Sequence, residues 1–160
     1  MIKLPLLLLP FSLLYAKPAH FLLPDEHSGF VRFLSDALSE PDGTILLLTP
    51  ALNHPALKKA LLKWEKKGTS IVIVAQQTAD DPLSLVQYRH VNLYTYTARP
   101  LKGSVILIGE RLVCTLSESL EAERLSQNAS LARCSDDAAE IAAHRAALTP
   151  LLKRSKKYLK

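Results

Sequence analysis

The sequence predicts an α/β fold: a mostly parallel β-sheet with helices on both faces and one β-hairpin. Three observations carry that prediction. Two apolar runs of strand length, TILLLT at 44–49 and TSIVIVA at 69–75, read as strands buried on both faces. Stretches with apolar residues at helical spacing alternate with them. A tight Gly-Glu-Arg turn then joins two short apolar strands at 105–108 and 112–115.

The elements follow in order. Met1-Ile2-Lys3 is a short basic start, and Leu4 to Leu14 is an apolar run about half the ~20 residues that a membrane span needs. Tyr15-Ala16 ends it with a small residue. Residues 1–16 therefore read as a secretory signal peptide cut after Ala16, with Ala19 as the second choice of site and an uncleaved membrane anchor as the alternative. Export to the periplasm or the exterior is expected. Residues 17–160 form a single domain with a basic C-terminal tail, and a chain of 160 residues that is 48% hydrophobic can bury a real core.

Asp25 or Ser28 caps a first helix that runs to about Ser39, with Phe30, Phe33, Leu34, Ala37 and Leu38 at helical spacing. Pro41-Asp42-Gly43 is a turn before the first apolar strand. Asn53 caps a second helix, whose Pro55 is tolerated in the first turn and whose inner face is Ala56, Leu57, Ala60, Leu61 and Trp64. Gly68 ends that helix before the second strand. A short helix at 80–88, a strand at 91–96, the hairpin, a polar helical stretch at 118–127 and a weak strand at 129–134 come next. Asp136 caps a long Ala-rich helix that runs to about Lys153.

Lys and Arg exceed Asp and Glu by 20 to 15, a net charge of +5. The excess gathers on the second helix (Lys58, Lys59, Lys63, Lys66, Lys67) and in the tail (Lys153, Arg154, Lys156, Lys157, Lys160). Such patches either attract polyanions, nucleic acid or an anionic phospholipid surface, or serve as solvated faces. Cys114 and Cys134 both fall in predicted strands. In an oxidising compartment they either form one disulfide or pack as small hydrophobes. No Cys-x-x-Cys or His-x-x-x-His spacing exists, so no metal and no cofactor is expected. His20, His27, His54, His90 and His144 are scattered and read as surface or core residues. Asp80-Asp81 and Asp136-Asp137 read as helix-capping acids. Asn128-Ala129-Ser130 matches a glycosylation acceptor by chance.

The order of elements, together with the helix-Gly-strand stretch HPALKKALLKWEKKGTSIVIV and the hairpin RPLKGSVILIGERLVCTLSESL, resembles the small, single-motif, nuclease-like branch of the phospholipase D superfamily. The resemblance covers nearly the whole of residues 17–160. It implies the fold above, with the hairpin at the active site. The family's H-x-K-x-x-x-x-D motif falls on Lys102 for the His, Ser104 for the Lys and Gly109 for the Asp. The Ser that follows in the family is kept as Ser117, its preceding Gly is Leu116, and the first Asn is Ser119. A second Asn meets Asn128, while the acid that usually follows is Ser130.

In that family one His attacks phosphorus, the second protonates the leaving oxygen, the Lys side chains hold phosphate oxygens and the Asp orients the His. Lys102 is a protonated cation and a poor phosphoryl acceptor, Ser104 carries no charge and Gly109 has no side chain. The resemblance therefore implies a degenerate site, a pseudoenzyme in which Lys102, Ser104 and Ser117 still suit a phosphate oxyanion. Three functions follow: a protein that binds a phosphate-bearing polyanion or a protein partner, an atypical active phosphodiesterase or endonuclease, or a structural envelope protein. The family also implies a homodimer, or pairing with a relative whose motif is intact.

Overall fold

The computed structural model describes residues 18–40 and 42–158, so the expected signal peptide lies outside the described residues. In chain order the elements are β1 (Ala19–Leu23), α1 (His27–Ala37), β2 (Ile45–Thr49), β3 (Leu52–Asn53), α2 (Pro55–Lys66), β4 (Ile71–Ala75), α3 (Asp81–Leu85) and β5 (Val91–Thr95). The second half adds β6 (Ser104–Ile108), β7 (Leu112–Leu116), β8 (Leu120–Glu121), α4 (Ala122–Gln127), β9 (Ser130–Ser135), α5 (Ala138–Arg154) and β10 (Lys156–Lys157).

Eight strands form one sheet in the order β1-β9-β7-β6-β2-β4-β5-β10, and β3 pairs with β8 apart from it. The two apolar runs become β2 and β4 at its middle. β2 pairs in parallel with β4, and β4 with β5, because the crossovers through α2 and α3 return the chain to the same end of the sheet. Segment 96–103 carries no helix. β6 therefore starts at the end where β5 stops and runs back antiparallel to β2. The remaining pairings of this sheet are antiparallel as well, so the sheet is mixed and its parallel share is smaller than the sequence suggests.

Strand alternation splits the core into two layers. Ile45, Leu47, Ile71, Ile73, Ile106 and Ile108 face Phe30 and Leu34 of α1 and Leu57, Leu61 and Trp64 of α2. Leu48, Val74, Leu107 and Val113 face the opposite way, where Ile141 and Leu148 of α5 cover them. Each of these buried aliphatic side chains contributes roughly 1.5–3 kcal/mol by leaving water. Helices thus lie on both faces, as expected.

The caps differ from the sequence reading. Asn53 belongs to β3, where it pairs with Glu121, and His54 caps α2 by accepting the Leu57 N–H on Nδ1 at 3.3 Å. Glu26 stands at the N-cap of α1, but its carboxylate turns to the Leu22 N–H at 2.6 Å, so neither Asp25 nor Ser28 caps that helix. Asp137 rather than Asp136 caps α5, accepting the Glu140 N–H at 2.8 Å. Cys114 and Cys134 are opposite one another across β7 and β9 and are joined in a fully buried disulfide.

Candidate functional site

Antiparallel pairing of Val105 with Leu48 sets the start of β6 beside the C-terminal end of β2. A cleft of about 230 Å³ opens at this edge of the sheet, and Lys102 and Ser117 both line it, with Pro50, Gln77, Glu118 and Arg124. Two features bring Lys102 there. The Gln76 side chain pins its loop, donating to the Arg99 carbonyl and accepting the Leu101 N–H, each at 2.8 Å. Gly103 lets the loop close on β7, since a Cβ at that position would stand 2.3 Å from the Leu116 carbonyl oxygen. That approach sets Lys102 beside Ser117.

Ser104 does not join them. It is 2% exposed, and its hydroxyl donates to the Glu118 carbonyl at 2.7 Å. Thr49, fully buried behind it, donates to the Ala51 carbonyl at 2.7 Å, lies 2.9 Å from the Ser104 oxygen and accepts the Leu120 N–H at 3.1 Å. The two hydroxyls close a network of protein groups, so the phosphate contact expected of Ser104 is corrected: that oxygen serves the fold. Gly109 lies in the turn at the far end of β6, roughly 16 Å away at about 3.3 Å per residue. No side chain there could orient a group at Lys102.

Asn128 reaches the cleft wall indirectly, donating to Glu118 Oε1 at 3.3 Å. Arg124 lies 3.1 Å from Glu121 and 4.0 Å from Glu118, and Ser119 donates to Glu121. The wall therefore sets one guanidinium against two carboxylates, so Arg124 offsets only one of the two negative charges. Lys102 is exposed and has no acidic partner among the described residues. The cleft can hold an anionic oxygen on Lys102 and the Ser117 hydroxyl, but neither group is a phosphoryl acceptor poised beside a base.

The basic tail approaches the same edge. β10 pairs Lys156 with Thr95 at the C-terminal end of β5, and Lys156, Lys157, Arg99 and Lys102 are all exposed. From β6 to β10 is four steps across the sheet, roughly 19 Å at about 4.8 Å per strand. On α2, by contrast, Lys58 faces Asp81 at 3.6 Å and Lys67 donates to the Ser39 carbonyl at 2.8 Å, which leaves Lys59, Lys63 and Lys66 exposed to solvent.

One pairing escapes the sequence reading. His27 and His54, distant in sequence, bring their Nε2 atoms to 3.2 Å. Burial, with His27 beside it, holds the His54 pKa below the ordinary histidine value. The available signal was the His-Pro pair at the start of α2, which marks a helix cap. Asp81 accepts the His54 backbone N–H at 2.8 Å and so acts on its neighbour's backbone, not as a cap of its own helix. Among the described residues no group of three His, Cys, Asp or Glu side chains could hold a metal ion.

No protein-family model matches the sequence, and no curated protein matches it. Solved structures do. NucT from Helicobacter pylori superposes with a TM-score of 0.80 at 15% identity, covering 89% of this chain and 99% of that one. Nuc from Salmonella typhimurium, a phospholipase D family member, gives 0.73 at 17% identity over 90% of this chain and all of the other. The archaeal chromatin protein TrmBL2, whose structure is described as showing a novel mode of DNA binding, gives 0.67 at 16% identity over 90% of this chain and 54% of that one. These likenesses establish the fold.

Proposed function

We propose that this chain, which has the phospholipase D-like fold, is an exported and catalytically degenerate member of that architecture that binds a phosphate-bearing polyanion without cleaving it. The observation that carries the reading is the cleft itself: Lys102 and Ser117 converge there, while Ser104 is buried in the Thr49 network and Gly109 lies at the other end of β6. A cation and a hydroxyl bind an oxyanion; neither performs the family's in-line attack on phosphorus. The exposed cations along the same edge suit an extended chain of phosphates. Nucleic acid is the polyanion favoured, given the DNA binding described for TrmBL2.

Export rests on the basic start and apolar run of residues 1–16. Ala19 is the first paired residue of β1, opposite Cys134, so a cut after Ala16 preserves the strand and a cut after Ala19 shortens it. The buried disulfide suits an oxidising compartment. A protein partner is the second reading, favoured by Leu22 and Leu131, which are paired across β1 and β9 and are 55% and 52% exposed. A second copy, or a relative that keeps the intact motif, is such a partner.

The test is fluorescence anisotropy of labelled single-stranded DNA with residues 17–160, run across a salt series, with the same samples resolved on a denaturing gel. Salt-sensitive binding of intact DNA supports the proposal. Cleaved DNA, or no binding at low salt, overturns it.

A further inference from the structure

We propose that His27 and His54 form a one-proton latch between α1 and α2, closed while both rings are neutral and opened by one added proton.

The hydrogen bonds assign every ring position. His54 Nδ1 accepts the Leu57 N–H, so it keeps its lone pair and the ring proton sits on Nε2. That proton points along the 3.2 Å contact to His27 Nε2, which must be bare, and His27 then carries its own proton on Nδ1. An added proton finds two basic nitrogens. On His27 Nε2 it sets N–H against N–H; on His54 Nδ1 it sets N–H against the Leu57 N–H. Either way a contact is lost. The same tautomer disfavours a metal bridging the two rings, since ligation at His54 Nε2 would move the proton to Nδ1, against Leu57.

The surroundings disfavour a proton on His54. His54 is 4% exposed, His27 is the first residue of α1, and both rings lie at the positive ends of helices. Asp81 of α3 draws a proton toward His54, but its oxygens are engaged with the His54 backbone N–H and, at 3.6 Å, with Lys58 of α2. Glu26, just before α1, is taken by Leu22. Leu120 of β8 and Leu125 of α4 line, with Phe30, Leu34 and His54, a small cavity of about 10 Å³. The residue before His54, Asn53, pairs with Glu121, which lines the cleft. The latch therefore stands one residue from the strand pair that holds the cleft wall.

With a folded-state pKa below that of the unfolded chain, His54 contributes stability that is present above about pH 6.5 and lost as pH falls below it. The test is an NMR titration of ¹⁵N-histidine-labelled residues 17–160 together with amide exchange at Leu57, in the native chain and in His54→Asn, whose side chain caps the helix without titrating. Native His54 is expected to titrate below the ordinary histidine range, with the Leu57 protection factor falling about tenfold across that step. His54→Asn is expected to keep Leu57 protected throughout. Titration of His54 near the ordinary value, unchanged Leu57 protection in the native chain, or an equal fall in His54→Asn would each overturn the latch.

Discussion

The carbonyl oxygen of Asp42 occupies the place that a side chain on Gly109 would need: a Cβ there would lie 2.2 Å from it. Gly109 adopts φ +54°, its carbonyl accepts from Arg145 and its N–H donates to the Thr44 carbonyl at 3.0 Å. The position where the family carries an acid is thus filled by backbone. Gly109→Asp is expected to destabilise the fold by about 2 kcal/mol or more, from left-handed backbone and overpacking together. Urea unfolding of the variant measures this, and an unchanged midpoint would show that the turn has room.

Lys102 is the cleft cation without an acidic partner among the described residues. Lys102→Ala is expected to weaken DNA binding and to lower the slope of log affinity against log salt by about 1, the signature of one lost phosphate contact. Lys63→Ala on the exposed face of α2, away from the cleft, is expected to leave the slope nearly unchanged. Anisotropy across a salt series separates the two.

The disulfide ties β7 to β9 across a sequence separation of 20 residues. On the loop-entropy account, removing it costs about 3 kcal/mol. Denaturant unfolding in the presence and absence of a thiol reductant gives the number directly, and coincident curves would show that strand pairing alone fixes the register.

A second acid-sensitive contact, below the range of His54, joins β9 to α5. Arg133, hydrogen-bonded to Glu140, with Ser135 assisting, holds the Glu140 carboxyl down at about 2. A carboxyl with a lowered folded-state pKa stabilises the fold above its unfolded value near 4.5 and loses that contribution as pH falls toward 2. Both groups are partly solvated, so water screens the pair and its contribution is small. Arg133→Met is expected to flatten the decline in Tm between pH 4.5 and 2. An identical decline in the variant would remove Glu140 from the account.

Much of this was legible in the chain. Buried runs such as TILLLT and the Leu57-Ala60-Leu61-Trp64 spacing declare themselves locally, because a strand or a helix face is a short-range pattern. The mixed pairing of the sheet was not, since the direction of β6 depends on where the chain re-enters. The two-residue strands β3, β8 and β10 left no periodicity to read. At the site, Lys102 and Ser117 were found by motif spacing, whereas the burial of Ser104 depends on Thr49, 55 positions away. The contact of His27 with His54 is likewise tertiary, made where two helix starts meet.

The central claim is that the cleft binds phosphate groups without turning them over. The most direct measurement is release of chromophore from a bis-phosphodiester reporter by residues 17–160 in molar excess, beside Lys102→Ala and Ser117→Ala. The expected result is release at the rate of buffer alone for all three proteins. Release by the native chain that disappears in either variant would contradict the claim and make the cleft an active site.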